Sequence, residues 1–251
     1  MLCVRRGALG DTILMIPALR MLRAAFPSAR IEFAGNQDHA VLLEHYGCVD
    51  RAFSSEDLRR HEGERANLRC EAAYSRVFAE GRDFDPRIGP EVAQPAAAEL
   101  LHRVSRRVPD APLVALEPRL VTARVPAASP PLFVLAPGAG SPKKQAPIAT
   151  FADRARRARA NGKRLAVVLG ECEEELAEQL MDALPPLDEV WRGLSAVELA
   201  TKLARAHEFL GNDSGVTHLA AALLVPTTAL FVATDPRVWA PAGSHVRVET
   251  T

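Results

Sequence analysis

Short apolar runs alternate with amphipathic stretches along most of the chain, and this alternation constrains the fold more than any other feature. The runs are three to five residues long and rich in Val, Leu, Ile and Phe, which is typical of strands buried on both faces of a parallel sheet. The stretches between them have the periodicity of crossover helices. The pattern therefore predicts an α/β fold. The predicted strands are residues 2–5, 31–34, 113–116, 132–136, 165–169, 189–191, 208–210 and 228–232.

Two of the intervening stretches predict helices that pack on a sheet. In the first, apolar side chains from Ile13 to Phe26 recur at helical spacing and form one stripe. In the second, Leu176, Leu180 and Leu184 repeat every four residues. We expect one continuous helix in each place.

A proline-rich segment divides the chain. Residues 122–131 contain three prolines and no apolar periodicity, so we place a linker there. We expect an N-terminal Rossmann-like domain over residues 1–125 and a C-terminal one over residues 126–251, where strands and helices alternate regularly. The charged stretch at 54–94 offers at most one weak strand, near residues 77–78.

Composition and charge exclude several classes of protein. Lys plus Arg and Asp plus Glu both total 31, and neither half of the chain is strongly basic, so a nucleic-acid-binding surface is not expected. No run approaches the roughly 18 consecutive apolar residues that span a bilayer, and we expect a cytoplasmic protein. The four cysteines form no C-x-x-C pair, which predicts reduced thiols and no zinc site.

The first predicted strand runs into a loop that reads R-R-G-A-L-G-D-T at residues 5–12. Its glycines let the backbone turn sharply and approach a ligand, and Asp11 or Thr12 can cap the helix that follows. The spacing is G-x-x-G-D rather than G-x-G-x-x-G, so the dinucleotide fingerprint is absent. From spacing alone, the pattern favours a helix cap at Asp11 over a catalytic base.

A second loop follows the strand predicted at 132–136 and reads P-G-A-G-S-P-K-K at residues 137–144. Glycines such as Gly138 expose backbone N–H groups, and Lys143 and Lys144 can meet phosphate oxygens. This combination suits a diphosphate, and a surface turn with solvated lysines fits the pattern equally well.

A third loop reads G-N-D-S-G-V-T-H at residues 211–218 and leads into an alanine-rich helix. We expect Asp213 or Ser214 to cap that helix, and Gly215 to admit a ligand to its first amides. His218 lies about one turn further on, where it can face the same ligand or serve as a hydrogen-bonded structural histidine.

All three loops, and T-D-P-R at residues 234–237, follow the carboxyl ends of predicted strands. Open parallel sheets bind ligands at this edge. With two such sheets facing each other, we expect a cleft between the domains to hold a small molecule.

At these residues the sequence resembles glycosyltransferase family 9, the bacterial lipopolysaccharide heptosyltransferases that use ADP-heptose. The resemblance implies a GT-B architecture, two Rossmann-like domains with parallel sheets facing a central cleft, and sugar transfer with inversion and without a required metal. The segments that carry it are R-R-G-A-L-G-D-T-I-L-M-I-P-A-L at residues 5–19, P-G-A-G-S-P-K-K at 137–144, G-N-D-S-G-V-T-H-L-A-A-A at 211–222 and F-V-A-T-D-P at 231–236.

The resemblance also implies roles for individual residues. Asp11 resembles the catalytic aspartate, the general base that takes a proton from the acceptor hydroxyl, and this reverses the preference for a cap. Glu174 lies near the place where the family uses an acidic residue toward the nucleoside. The other residues implied to bind substrate are Gly10, Thr12, Gly138, Ser141, one of Lys143 and Lys144, Asp213, Ser214, Gly215 and His218.

The chain departs from the family pattern in three places. Family members are typically longer, so we expect a first domain shortened where it would shape the acceptor pocket. Ala146 stands where an aromatic residue commonly follows the motif lysine. The sequence ends at residues 245–251, just after its last strand-like segment, so we also expect no long terminal helix crossing back to the first domain.

The sequence therefore predicts an inverting, metal-independent glycosyltransferase that requires no cofactor. It would move a heptose-like sugar from a nucleoside-diphosphate donor such as ADP-heptose to a cell-envelope glycan or lipopolysaccharide-type acceptor, with peripheral contact to the inner membrane. The alternative is a catalytically degenerate family member that binds a nucleotide sugar or glycan without turnover. An NAD-dependent oxidoreductase is disfavoured because no G-x-G-x-x-G follows any strand.

Overall fold

The structure of the protein is a computed structural model that describes residues 1–57, 77–79, 95–170 and 174–251, with the backbone alone at 77–79 and 174–176. The chain divides into two compact units, Met1–Leu120 and Val121–Thr251. The segment 122–131, which the sequence predicts to be a linker, contains no helix or strand and belongs to the second unit.

The first unit contains a four-stranded parallel sheet in the order β3-β2-β1-β4. Because β1 lies between β2 and β4, the strand order reverses there, and the loop after β1 opens at the carboxyl edge of the sheet. The elements in chain order are β1 (Leu2–Val4), α1 (Leu9–Leu14), α2 (Ile16–Ala25), β2 (Glu32–Gly35), α3 (Gln37–His45), β3 (Arg51–Ser54), β4 (Val77–Ala79) and α4 (Ala96–Arg107).

The stripe from Ile13 to Phe26 forms two helices rather than the single helix that its periodicity predicts. The chain breaks between them at Met15, whose N–H donates to the Thr12 carbonyl at 3.2 Å. Pro17 lies in the first turn of α2. A proline there has no N–H to continue the helical ladder, so it ends α1 and is accommodated at the start of α2.

The second unit contains a six-stranded parallel sheet in the order β10-β9-β8-β5-β6-β7. The order reverses between β5 and β8, as it does at the ligand-binding crevice of dinucleotide-binding folds. The elements are β5 (Leu132–Ala136), a 3₁₀ turn (Pro142–Lys144), α5 (Ile148–Ala160), β6 (Arg164–Val168), α6 (Glu174–Ala183), β7 (Glu189–Trp191), α7 (Ala196–Leu203), β8 (Glu208–Asn212), α8 (Gly215–Ala222), β9 (Thr227–Phe231), α9 (Pro236–Trp239) and β10 (Val246–Thr250).

The core of the second unit explains why its central strands were predictable. All five residues of β5 are buried, and the side chains of Leu135, Phe151 and Val167 join β5, α5 and β6 in one apolar cluster. Strands covered on both faces are apolar throughout, and this is the signal that the sequence carries.

One predicted strand is wrong. Residues 113–116 form no strand, and Leu113 is 97% exposed. Prolines at 112 and 118 flank this run and cannot donate to a strand ladder. The segment that follows is held instead by Arg20, whose guanidinium donates to the carbonyls of Glu117, at 3.1 Å, and Arg119.

Among the helices of the described ranges, none combines the length and the apolar character that a bilayer crossing requires.

Candidate functional site

The switch point of the six-stranded sheet brings two of the predicted loops together. Ala136 at the end of β5 pairs with Gly211 near the end of β8, so the loops that follow these strands leave the sheet side by side. The loop after β9 leaves from the next strand in the sheet. Residues from all three loops can therefore contact one another.

Asp213 is the point at which these three loops meet. Its side chain is only 6% exposed, and Oδ2 accepts hydrogen bonds from Lys144 Nζ at 2.8 Å and from Thr234 Oγ1 at 2.6 Å. Lys144 comes from the loop after β5 and Thr234 from the loop after β9. A buried carboxylate thus holds an ammonium group and a hydroxyl at the carboxyl edge of the sheet.

The side chain of Asn212 holds the loop after β5 in place through two hydrogen bonds. Its Oδ1 accepts the Ala146 N–H at 3.0 Å, and its Nδ2 donates to the Pro137 carbonyl at 2.6 Å. The fully buried amide therefore ties both ends of the lysine-bearing loop to β8. Close packing at Gly211 supports this arrangement, because a Cβ atom there would lie 2.6 Å from Thr217 Oγ1.

The two neighbouring lysines differ in their surroundings. Lys144 is one-third exposed and ion-paired, whereas Lys143 is exposed and its backbone N–H donates to Ser141 Oγ at 3.4 Å. Ser141 thereby caps the 3₁₀ turn that carries both lysines. Gly138 is half-buried beside this turn.

Helix α8 begins at Gly215, with Ser214 in the N-cap position. The prediction that Asp213 or Ser214 caps this helix is right about the position of Ser214 and wrong about its side chain, which makes no cap hydrogen bond. Its hydroxyl lies 3.2 Å from Thr217 Oγ1 instead. The side chain of Ser214 therefore does not cap the first amides of α8. His218 lies one turn further along the helix and is buried.

Asp11 lies in the first unit, in the first turn of α1. The residue in the N-cap position is Ala8, and Asp11 Oδ2 accepts the Ala8 N–H at 3.0 Å. Arg5 Nη2 donates to Oδ1 at 2.7 Å. The prediction of Asp11 as the N-cap residue is therefore wrong, although its carboxylate does satisfy a free amide at the start of the helix.

The ion pair between Arg5 and Asp11 is asymmetric in its burial. The Arg5 side chain is 3% exposed and that of Asp11 is 29% exposed. The guanidinium is therefore inside the protein and the carboxylate reaches the surface. Two fixed hydrogen bonds orient the carboxylate, while Gly10 is half-buried and Thr12 buried next to it.

Two residues near Asp11, Arg5 and His39, were not identified as site residues from the sequence. Arg5 lies within the quoted loop, and its strand position gives no sign that it turns back to a residue six positions later. His39 lies on α3, after the carboxyl end of β2. Burial lowers its pKa, while the Asp38 charge, a hydrogen bond to the Gly7 backbone and the Asp11 charge oppose the shift. Its position after a strand end is the only signal that the sequence carries.

Glu174 is the first residue of α6, and its side chain lies outside the described part of the chain. Within the described residues, no group of three or more His, Cys, Asp or Glu side chains is arranged to hold a metal ion.

Two cysteines, Cys3 and Cys48, are free thiols. Burial raises the pKa of Cys3 to about 12 and that of Cys48 to about 11. Both thiols are therefore protonated and unreactive near neutral pH. Cys70 and Cys172 lie outside the described residues.

Two Rossmann-like units with parallel sheets, carrying polar loops at the switch points, define the GT-B class of glycosyltransferases. The family model for glycosyltransferase family 9 (heptosyltransferase) matches residues 94–249, and the chain belongs to this family. The resemblance seen in the sequence motifs is thus confirmed, and the protein is a glycosyltransferase. The loop at residues 5–12 lies outside the matched range.

Solved structures show the same fold. The chain is similar to E. coli ADP-heptose lps heptosyltransferase II, with a TM-score of 0.79 and 19% identity over 99% of this chain and 89% of that one. A glycosyl transferase family 9 protein from Veillonella parvula gives a TM-score of 0.75 and 16% identity over 100% and 86% of the two chains. E. coli heptosyltransferase WaaC with ADP gives 0.73 and 18% over 99% and 92%. No curated protein sequence matches the chain.

Proposed function

We propose that the protein transfers a heptose-like sugar from a nucleoside-diphosphate donor, ADP-heptose or a close relative, to a glycan or lipopolysaccharide-type acceptor of the cell envelope. The family supports this class of reaction. Structures of the similar E. coli WaaC contain ADP and ADP-2-deoxy-2-fluoro heptose. The convergence of Lys144 and Thr234 on Asp213 is the observation that carries the proposal for this chain.

The donor diphosphate would lie over the switch point of the six-stranded sheet. Lys144 can keep one hydrogen bond to Asp213 and direct its two other ammonium protons to phosphate oxygens. Ser141 and the first amides of α8, next to Ser214 and Gly215, add donors on the same edge, where the positive end of the helix dipole favours an anion.

The same groups would stabilise the leaving nucleoside diphosphate. Negative charge grows on the phosphate as the sugar bond breaks, while the anomeric carbon becomes positive, as in glycoside hydrolysis. Preorganised donors aimed at the developing charge lower the barrier without reorganising during the reaction. A fixed ammonium with helix amides can fill this role without a metal ion, and the proposal therefore includes metal independence.

Asp11 would act as the general base. Its two hydrogen bonds, from Arg5 and Ala8, leave each carboxylate oxygen a further lone pair. A partly exposed carboxylate held in one orientation can accept a proton from an acceptor hydroxyl within hydrogen-bond reach. Attack by that hydroxyl on the face opposite to the leaving group would invert the anomeric centre.

Calorimetric titration with ADP tests the donor site. We expect the wild type to bind ADP more tightly than NAD, and Lys144→Met to bind it at least about tenfold more weakly, because a charge-assisted hydrogen bond is lost. Lys143→Met is the matched comparison and should show a smaller loss, since Lys143 is exposed and unpaired with Asp213. Equal affinities in all three proteins would contradict the placement.

Release of ADP from ADP-heptose, assayed with an acceptor, separates the enzyme from a binding protein. If the wild type and Asp11→Ala bind ADP equally but are both inert with a panel of ADP-, UDP- and GDP-sugars, the alternative is correct and the protein binds a nucleotide sugar or glycan without turnover. Turnover that requires Asp11 supports the transferase.

A further inference from the structure

A groove of about 390 Å³ opens beside α5 at the amino-terminal ends of β5, β8 and β9. We call it the amino-edge groove. The loops around Asp213 lie at the other end of the same strands, about 13 Å away for a five-residue strand. The groove is therefore separate from the proposed donor site. Its charged and amide-bearing lining residues are Arg154, Arg157, Asn161, Lys163, Glu208 and Arg247.

The sequence of α5 places its cations along this groove. Phe151 and Ala155 are buried against the sheet. Arg154, Arg157 and Asn161 are spaced three and four residues apart, so they line one side of the helix next to the buried face. Arg247 on β10 also lines the groove.

Cations outnumber carboxylates in the groove. Lys163 pairs with Glu208 at 2.7 Å, while Arg154, at 2.8 Å, and Arg247, at 3.1 Å, share the single carboxylate of Glu249. Arg157 forms no ion pair with any residue that the structure describes. Four cations and two carboxylates give the groove a net charge of about +2. Each guanidinium carries about five N–H donors, so donors remain for a ligand.

The groups that line the groove beside its cations suit the hydroxyls of a sugar better than a nucleobase. Phe133 and Phe209 are at most 7% exposed, so neither offers a face on which a base can stack. The amide of Asn161, the hydroxyl of Thr228 and the carboxylate of Glu208 supply hydrogen-bond donors and acceptors. The volume lies at the small end of the range for ligand pockets, about 300–1,000 Å³.

We propose that the amino-edge groove binds a small phosphorylated sugar, with Arg157 and Arg247 holding the phosphate and Asn161, Thr228 and Glu208 facing the sugar hydroxyls. Arginine is suited to this task because its planar fork meets two phosphate oxygens at once. The groove would form a second anion site on this unit, independent of the donor diphosphate.

Calorimetry with glucose 6-phosphate tests the proposal in the presence of saturating ADP, which occupies the proposed donor site. We expect binding by the wild type, and at least about tenfold weaker binding by the double variant Arg157→Gln/Arg247→Gln. Arg156→Gln is the control, because Arg156 is on the same helix, pairs with Asp153 and does not line the groove. Its affinity should equal that of the wild type.

Other outcomes would overturn the proposal. They are an absence of glucose 6-phosphate binding by the wild type, an equal loss in the control and the double variant, or full affinity in the double variant. Sedimentation with vesicles of anionic phospholipid that requires Arg157 and Arg247, without any binding of glucose 6-phosphate, would assign the groove to a lipid headgroup instead. Unchanged melting temperatures would show that the exposed substitutions leave the fold intact.

Discussion

A Cβ atom at Gly7 would lie 2.6 Å from Oδ2 of Asp11, and the Gly7 backbone has a φ of +143°. Real Cβ atoms do not approach an oxygen so closely, so the loop after β1 can hold the carboxylate in this position only with glycine at residue 7. The backbone angle independently favours glycine. The orientation of Asp11 thus depends on a residue that carries no side chain.

Substitution of Gly7 by Ala should displace the Asp11 carboxylate. We expect transfer to fall by about tenfold or more, since misplacing a reacting group by about 1 Å can lower a rate by about 100-fold. Gly47→Ala is the matched control, because its φ is +67° and no atom lies within 4 Å of the added Cβ. The control should lower the melting temperature through backbone strain and leave transfer near the wild-type rate. Equal losses of activity in both variants would contradict a specific role for Gly7.

Replacement of Arg5 by Met should lower kcat more than it raises the KM for donor. The substitution removes the buried guanidinium that fixes Asp11 Oδ1, while the donor loops lie in the other unit. The free energy of unfolding should fall by about 1–3 kcal/mol, the usual loss for a charge-assisted hydrogen bond. Arg5→Lys should restore part of kcat. A KM effect without a kcat effect would mean that Arg5 does not act through Asp11.

Removal of divalent metal should leave transfer unchanged. The proposed stabilisation of the leaving diphosphate comes from Lys144 and the first amides of α8, which chelation does not affect. Rates of ADP release measured with EDTA, and after readdition of Mg²⁺, provide the check. A rate that collapses with EDTA and returns with Mg²⁺ would contradict this part of the mechanism.

Asp188 should make the stability of the second unit depend on acid pH. Its pKa is lowered from 3.8, first by the Leu165 N–H and then by the Arg159 guanidinium, with burial opposing them. The folded chain therefore binds fewer protons than the unfolded chain near this pH. The contribution to stability is complete above about pH 4 and is lost as the pH falls through the lowered pKa.

Asp188→Asn should thus lower the free energy of unfolding by about 1 kcal/mol at neutral pH, a value reduced for solvent screening of a partly exposed group. The difference from the wild type should shrink as acid protonates Asp188. Asp182→Asn is the control, since that exposed carboxylate makes no hydrogen bond within the described ranges. A difference that stays constant from pH 7 to acid would refute the linkage.

The sequence predicts the central strands better than the edges. Strand β5 and the centre of β8 are apolar and buried, whereas β10 alternates valine with Arg247 and Glu249 on an edge and was not predicted as a strand. The apolar run at 113–116 gave the opposite error. An apolar run indicates burial only when the rest of the fold covers it, and Leu113 is not covered.

The site contacts were less predictable than the loops that carry them. Lys144 and Asp213 are 69 residues apart, and their contact depends on the order of β5 and β8 in the sheet. No local pattern encodes that order. The motif identified both residues as candidates, and the strand order explains why the loops that carry them meet.

The most direct measurement of the central claim is the rate of ADP release from ADP-heptose by Asp11→Asn, with ADP affinity measured on the same protein. Asn keeps the size of the side chain and removes its basicity, so we expect the rate to fall by about 100-fold or more while ADP affinity stays unchanged. Asp110→Asn, at an exposed carboxylate of the first unit, should keep both values. A wild-type rate in Asp11→Asn would contradict the assignment of Asp11 as the general base.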